Sequence, residues 1–244
     1  MQLRFIGCGD AFGSGGRFNT CFQVTSPSAT VLIDCGASSM VAMRKWGVDP
    51  NAIDTIFITH LHGDHFGGLP FLILDARLVS RRSRPLTIAG PPGLRERLTQ
   101  AMEVFFPGSS GIARKFPLDL IELEPDLPAS IGPVSVLPKK VKHPCGAPPL
   151  AIRLTMDGKS VAYTGDTEWT EALIPVANGA DIFIAEAYFH DRKIRYHLDL
   201  DTLLAHLDRL QPRRLVLTHM SPDMLGRDLA GRFELAEDGM VLQV

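Results

Sequence analysis

No stretch of this sequence approaches the roughly 20 consecutive apolar residues of a membrane-spanning helix, so no membrane partner is expected. The opening Met1-Gln2-Leu3-Arg4-Phe5-Ile6-Gly7 is too brief an apolar run for the core of a secretory signal, and a cytoplasmic location is expected. Cysteine is scarce: Cys8, Cys21, Cys35 and Cys145 form no CxxC pair, which fits reduced thiols used as small apolar filler. Neither sign of charge dominates. Lys and Arg number 25 against 27 Asp and Glu, a formal net charge of −2, so the basic excess of a non-specific nucleic-acid binder is missing and no large basic face is expected.

What is present describes a folded chain. With 45% hydrophobic and 21% charged residues it is too apolar for disorder, and 18 prolines and 22 glycines without a repeat indicate many turns. A chain of 244 residues can bury roughly 70% or more of its unfolded surface in a core. A single domain spanning residues 1–244 is the expectation.

Short apolar runs with β-branched or aromatic content predict strands at 3–6, 21–24, 31–33, 53–58, 86–89, 118–123, 134–141, 151–155, 160–163, 182–185, 215–218 and 240–244. Helices are predicted at 38–46, which has a serine start and a glycine stop, and at 69–82, with a basic last turn. Further helices are predicted at 94–106, 169–177 and 200–210, the last with Leu203, Leu204, Leu207 and Leu210 on one face. Strand clusters followed by helices, twice over, suggest layered sheets with helices outside.

The chemistry concentrates in His60-Leu61-His62-Gly63-Asp64-His65, which follows the apolar run 54–58. Imidazole and carboxylate are the ligands zinc and its neighbours prefer, and a strand ending in a tight glycine-containing turn can aim alternate side chains one way. That spacing puts His60 and His62 on one metal, and Asp64 with His65 on a second. With only 8 histidines in the chain, three between positions 60 and 65 are a poor match to chance. Further candidates each end an apolar run: His143, Asp166 and His219. Strand ends are where open α/β sheets build their sites.

This series, His60-x-His62-x-Asp64-His65 followed in order by His143, Asp166 and His219, resembles the metallo-β-lactamase superfamily over almost the whole chain. Asp34, in Val31-Leu32-Ile33-Asp34-Cys35-Gly36, is similar to that family's first motif, an aspartate that orients the metal loop without binding metal. The resemblance implies an α/β fold, an αββα sandwich of two mixed sheets flanked by helices, with the site at the edge between the sheets. It implies two divalent metal ions, one held by His60, His62 and His143, the other by Asp64, His65 and His219, with Asp166 bridging. Because His62 stands where di-iron relatives carry a carboxylate, Zn2+ is expected, with Mn2+ or Fe2+ as alternatives set by cell availability. Two such ions lower the pKa of a bridging water from 15.7 toward ~7, supplying hydroxide for hydrolysis and clamping a phosphodiester for in-line displacement. Asp64 is additionally expected to take the water's proton.

Ile184-Ala185-Glu186-Ala187 with the later Tyr196-His197-Leu198-Asp199 resembles the ribonuclease Z-like branch, which implies that His197 is the general acid and that Glu186 raises its pKa and orients it. The first loop, 7–20, and the stretch 86–93 are similar to that branch too. The sequence departs from it in lacking, between Gly93 and His143, the arm that grips transfer RNA, and in the residues after His219. A small or cyclic phosphodiester or a short RNA is therefore the expected substrate of a metal-dependent phosphodiesterase. Arg17 and the run Arg192-Lys193-Ile194-Arg195 are candidates to bind substrate phosphate; His190 and His206 are assigned no role. The alternatives are ribonuclease Z-type 3′ processing of transfer RNA, hydrolysis of a thioester, lactone or β-lactam by the same hydroxide, and a non-catalytic metal-binding module. The family implies a homodimer, through the apolar Phe71-Leu72-Ile73-Leu74 segment.

Overall fold

The computed structural model describes every residue of 1–244 except Ala230. Two seven-stranded mixed sheets face each other. The first contains β1 (Gln2–Gly7), β2 (Cys21–Thr25), β3 (Thr30–Ile33), β4 (Thr55–Phe57), β5 (Leu86–Gly90) and β6 (Leu118–Glu122), and the second β7 (Ala129–Ile131), β8 (Val134–Lys140), β9 (Leu150–Met156), β10 (Lys159–Tyr163), β11 (Ile182–Glu186), β12 (Leu215–Thr218) and β13 (Glu234–Leu235). The last strand, β14 (Val241–Gln243), returns to pair with β1 in the first sheet. Strands β3 to β6 run parallel, as do β10 to β13, while the remaining neighbours are antiparallel.

Strand periodicity explains the layering. Side chains alternate between faces of a strand, so Val31 and Ile33 point into the space between the sheets while Leu32 points outward; Ile182 and Ile184 point inward while Phe183 and Ala185 point outward. The inner core is tied across the sheets by edge-on rings, with Phe22 5.0 Å from Phe5 and 5.1 Å from Tyr163. Outside the first sheet pack α1 (Ser39–Lys45), α2 (Gly63–Phe66), α3 (Leu69–Leu78) and α4 (Leu94–Phe105), and outside the second α5 (Leu173–Ala177), α6 (Leu200–Ala205), α7 (Leu207–Leu210) and α8 (Pro222–Leu225). This is the expected αββα sandwich. Among the described residues no helix is long and apolar enough to cross a membrane.

Three helices differ from their sequence prediction, each because a side-chain or main-chain group is engaged elsewhere. α3 stops at Leu78 rather than Arg82: the Arg82 guanidinium is buried and donates to the carbonyls of Pro50, Ile53 and Pro85. The helix predicted from Trp169 begins at Leu173, because Thr167 N–H donates to Glu186 Oε2 and Glu168 N–H to the Lys142 carbonyl. The helix predicted over 200–210 breaks at His206, whose ring stacks on Trp169 at 3.7 Å. Strands β7 and β13 and helices α2 and α8 were not predicted; all are four residues or fewer. Of Phe71-Leu72-Ile73-Leu74, Leu72 and Ile73 are buried, and the exposed apolar face is formed by Phe71, Leu78 and Val79 with Val104 and Phe105 of α4.

Candidate metal centre

The site lies where the two sheets meet at one end, at the carboxyl ends of their parallel strands. Asp34 follows β3, His60 follows β4, Asp166 follows β10, Glu186 ends β11 and His219 follows β12, which is where parallel α/β sheets leave side chains and loops converging. Hydrogen bonds cross between the sheets here: Leu150 N–H donates to the Thr59 carbonyl, and His219 N–H and Thr218 Oγ1 to the Cys8 carbonyl.

The His60–His65 segment reaches this position by a different backbone from the one its spacing suggested. The strand ends at Phe57, His62 is extended, and α2 opens at Gly63, so Asp64 and His65 sit on a helical turn rather than a strand-end turn. That turn is clasped by the loop after β3: Cys35 N–H donates to the His65 carbonyl at 2.7 Å and Ala37 N–H to the Gly63 carbonyl at 3.0 Å. Gly36 permits the approach, since a Cβ there would stand 2.1 Å from the Asp64 carbonyl oxygen.

The seven predicted ligands fall into two donor groups, and Asp166 and His219 also stand within 4.8 Å of Glu186 and His197 in a third. The nitrogens of His60, His62 and His143 form one, and Asp64, His65, Asp166 and His219 the other, the ligand atoms in each lying within 4.8 Å of one another. His143 Nε2 is 3.0 Å from His62 Nδ1, and His65 Nε2 is 3.2 Å from Asp166 Oδ1 and 3.3 Å from Asp64 Oδ2. His219 Nε2 is 3.3 Å from Asp64 Oδ2. Asp166 Oδ2 touches both groups, at 3.8 Å from His60 Nε2, 3.9 Å from His143 Nε2 and 3.5 Å from His219 Nε2. All seven sequence-derived candidates therefore meet in one place.

The donors fit divalent cations on their own chemistry. His65 Nδ1 contacts Asp34 Oδ2 at 2.7 Å and His143 Nδ1 contacts the Tyr196 carbonyl at 2.9 Å, contacts only a protonated Nδ1 can satisfy. Thr59 Oγ1 donates to Asp34 and so receives the His60 Nδ1 proton at 3.2 Å. Each ring then turns its Nε2 toward the centre. Buried His60 Nε2 and Asp166 Oδ1 have no hydrogen-bond partner, and lone pairs facing one another without a proton between them are costly unless a cation lies there. Four ligands about 2.1 Å from one zinc ion stand about 3.4 Å apart, within the spread of these contacts.

The electrostatics agree. Burial pushes His60 well below its ordinary range, and neighbouring His65 adds to this, so the ring is neutral. For His65 and His219 burial acts the same way but is outweighed, first by Asp166 and then by Asp64, and both titrate well above the ordinary range. Burial would raise Asp64 and Asp166, yet the facing His65 and His219 hold both below the carboxylate range. The centre is an anionic pocket in which protons stand where cations fit.

Beside it, His197 Nδ1 is hydrogen-bonded to Glu186 Oε1, and its ring centroid is 4.9 Å from that of His143. Burial disfavours a charged His197, but the hydrogen bond and charge of Glu186 prevail and raise its pKa. Glu186 is fully buried; its Oε2 accepts from Thr167 N–H and Leu198 N–H, and its Oε1 is 3.5 Å from His219 Nδ1. A cavity of about 340 Å³ opens over the group, with His62, Asp64, His143, Asp166, His197 and His219 on its floor and Ala11, Phe12, Tyr188 and Ile194 around its rim.

Other candidates lie elsewhere. The Arg17 guanidinium is turned to the Ala236 carbonyl at 2.7 Å and Cys8 Sγ, away from the cavity. Arg192 covers the Phe189 ring, while Lys193 and Arg195 line a neighbouring hollow that shares Ile194 and His197. All four cysteines are free and buried, and burial pushes Cys35 up to about 12, which keeps that thiol protonated and unreactive. Sequence reasoning missed the Tyr196 carbonyl that fixes His143, which depends on a left-handed backbone (φ 71°) with no sequence signal, and the rim residues Phe12 and Tyr188. An aromatic within a glycine-rich loop was the available clue to Phe12.

Known proteins give the same picture. Ribonuclease Z of Geobacillus kaustophilus is 27% identical over 279 residues, covering 91% of this chain and 88% of that protein; an alignment longer than this chain's 244 residues means that relative carries insertions this chain lacks. The short form of human tRNase Z superposes with a TM-score of 0.81 at 26% identity, covering 100% of this chain and 99% of the other. The metallo-β-lactamase fold protein YhfI of Bacillus subtilis superposes with a TM-score of 0.78 at 21% identity, covering 99% of each. The family model described as Anti-Pycsar protein Apyc1 matches residues 1–241, and the protein therefore belongs to that family, as a ribonuclease Z-like metal-dependent hydrolase of the metallo-β-lactamase superfamily.

Proposed function

We propose that the protein is a phosphodiesterase acting on a small or cyclic phosphodiester or short RNA, with His60, His62 and His143 holding one divalent cation, Asp64, His65 and His219 a second, and Asp166 between them. Zn2+ is the proposed metal, on the strength of an imidazole-rich donor set. When bound, such ions supply a nucleophile ionised near neutral pH and spread positive charge over the phosphoryl oxygens. The chain's own residues supply the rest. Asp64, at the cavity floor, accepts the nucleophile's proton. His197, kept protonated by Glu186, donates a proton to the departing oxygen. The rim residues exclude bulk water from the reacting atoms.

The observation that carries this reading is the His197–Glu186 pair beside the cluster. An alkoxide leaving from phosphorus needs a proton donor, whereas a thiolate leaving from a thioester does not, so a dedicated donor favours phosphate esters over carbonyl substrates. Small substrates are favoured over transfer RNA because residues 94–140 are largely taken up by α4 and β6 to β8, with no segment long enough to form an arm. The test is a hydrolysis screen on metal-analysed protein. Turnover of bis(p-nitrophenyl) phosphate without turnover of thioesters, lactones or β-lactams supports the proposal; the reverse pattern overturns it, and metal-replete protein inert on every ester leaves the non-catalytic binding module.

A further inference from the structure

His219 reaches the centre from a backbone that residues other than glycine rarely adopt: its φ is 56°, in the left-handed region. Such a conformation persists only where the surroundings hold it. The hold comes from the other end of the chain. His219 N–H donates to the Cys8 carbonyl at 3.2 Å, and Thr218 Oγ1 donates to the same oxygen, also at 3.2 Å. Cys8 is fully buried just beyond the end of β1, and its carbonyl is the post against which the ligand-bearing turn rests.

That post is secured by Asp238. Its Oδ1 accepts from Cys8 N–H at 3.0 Å and Cys8 Sγ at 3.3 Å, and its Oδ2 from Phe18 N–H at 2.8 Å. Gly9 N–H donates to the Phe18 carbonyl at 2.7 Å, so one carboxylate closes the neck of the 8–18 loop by holding both of its ends. Neither partner is local, since Cys8 is 230 and Phe18 220 residues away in sequence. The flanks of Asp238 are themselves tied down: Gly239 N–H donates to the Phe5 carbonyl at 2.6 Å, and Ala236 accepts from Arg17 at 2.7 Å while donating to the Leu217 carbonyl at 2.8 Å. Leu217 belongs to β12, the strand that leads into His219. The contacts therefore form a closed ring from β12 through His219, Cys8 and Asp238 back to β12.

We infer that Asp238, which does not line the cavity, is a positioning residue for the metal ligand His219, acting through the main chain of Cys8. This rests on the placing of His219 among the ligands of the second cation. An aspartate suits the task because both of its oxygens accept; asparagine of the same shape has one acceptor, and its NH2 group then faces an N–H at one end of the neck. Once the neck opens, the Cys8 carbonyl shifts, His219 relaxes, and its Nε2 leaves the 3.3 Å contact with Asp64 Oδ2. His60 and His143 are oriented by Thr59 and the Tyr196 carbonyl, neither of which is reached through Cys8, so the effect falls on one half of the centre.

The experiment titrates metal-free protein with zinc against a competing chelator and follows amide hydrogen exchange at His219 by NMR. His62→Ala and His219→Ala assign the two binding steps to the two donor groups. Asp238→Asn is expected to weaken the step that His219→Ala abolishes by about 10- to 100-fold, to leave the other within about two-fold, and to speed exchange at the His219 amide before zinc is added. Arg214→Ala breaks the Arg214–Glu234 ion pair on the strand leading toward Asp238 and controls for general loosening: it lowers Tm and leaves both steps in place. Equal weakening of both steps in Asp238→Asn, weakening of neither, or the same selective loss in Arg214→Ala overturns the inference and leaves the ligand assignment standing. A His219→Ala variant that retains both steps overturns that assignment and the inference with it.

Discussion

The tautomer of His65 depends on Asp34, and Asp34→Asn tests that dependence with little change of shape. Asp34 is fully buried and accepts three hydrogen bonds: Oδ1 from Thr59 N–H at 2.7 Å, Oδ2 from Thr59 Oγ1 at 2.8 Å and from His65 Nδ1 at 2.7 Å. Its backbone is left-handed at φ 59°, a conformation that asparagine tolerates and alanine does not, so Asn isolates the hydrogen bonding from backbone strain. In the variant one oxygen becomes an NH2 group. Facing Thr59 N–H, it opposes donor to donor in a buried place; flipped, it faces His65 and drives the ring proton to Nε2, the nitrogen aimed at Asp64 and Asp166. The loss of one charge-assisted hydrogen bond is worth about 1.5–3 kcal/mol, which for a chain of this size lowers Tm by about 3–12 °C. Disturbing the group that orients a metal-binding histidine costs about 10- to 100-fold in metal affinity. The assays are thermal unfolding in chelator, for the metal-free term, and zinc titration against a competing chelator. Affinity within about two-fold of wild type, with Tm lowered as expected, would refute the idea that Asp34 sets the ligand tautomer, because the bond would then serve stability alone.

His62→Ala is expected to lose metal from the half of the centre it shares with His60 and His143, and activity with it; inductively coupled plasma analysis that finds a full complement of metal would contradict the grouping. Glu186→Gln removes the charge that holds the His197 pKa up. Since the acid form of His197 is the active one in the proposed reaction, the alkaline limb of the kcat profile moves to lower pH, and an unmoved limb speaks against His197 as the donor. His197→Ala keeps its metal and loses about 10²–10⁴-fold on an alkyl leaving group but much less on p-nitrophenolate; equal losses on both would point to a structural role. His65 and His219 are protonated above the ordinary histidine range in the metal-free centre. Loading apoprotein at neutral pH therefore expels protons, which calorimetry in two buffers of different ionisation enthalpy measures as a buffer-dependent heat; a buffer-independent heat would show the nitrogens already free.

Much of the centre was legible because its chemistry is local in sequence even where its geometry is not. Three histidines and Asp64 lie on one short segment, and His143, Asp166 and His219 each end a run whose apolar character marks it as a strand. Alternation along strands such as Val31, Leu32 and Ile33 likewise made the layers readable, since the period-2 pattern fixes which face is buried. What the sequence concealed was set by long-range contacts. Nothing local to Leu200–Ala205 announces that the helix stops where His206 stacks on Trp169, and nothing local to Leu78 announces that Arg82 has carbonyls waiting near β4. The turn at Gly63 is helical because the loop after β3 clasps it, a pairing invisible in the window that contains the motif. Backbone strain was equally hidden: Asp34, Tyr196 and His219 all adopt positive φ at this site, in keeping with the tendency of strained residues to gather where geometry must be held.

Asp34 and Glu186 make the same contact and are put to opposite uses. Each is a fully buried carboxylate at the carboxyl end of a parallel strand, one in each sheet; Asp34 accepts one main-chain N–H and Glu186 two, and each contacts an imidazole Nδ1. A carboxylate so placed raises the basicity of the ring and fixes its orientation, but it does not decide what the other nitrogen does. Around His65 that nitrogen meets Asp64, Asp166 and His219 in a closed space, where a proton and a cation compete and the cation carries more charge. His197 instead lines the open cavity, with its Nδ1 taken by Glu186 and its ring only partly covered, so that a substrate oxygen can approach. In the proposed reaction the first ring is therefore a ligand and the second an acid. The difference comes from what surrounds Nε2, not from the pairing at Nδ1, which is why Glu186→Gln is expected to alter a pH limb and Asp34→Asn a metal affinity.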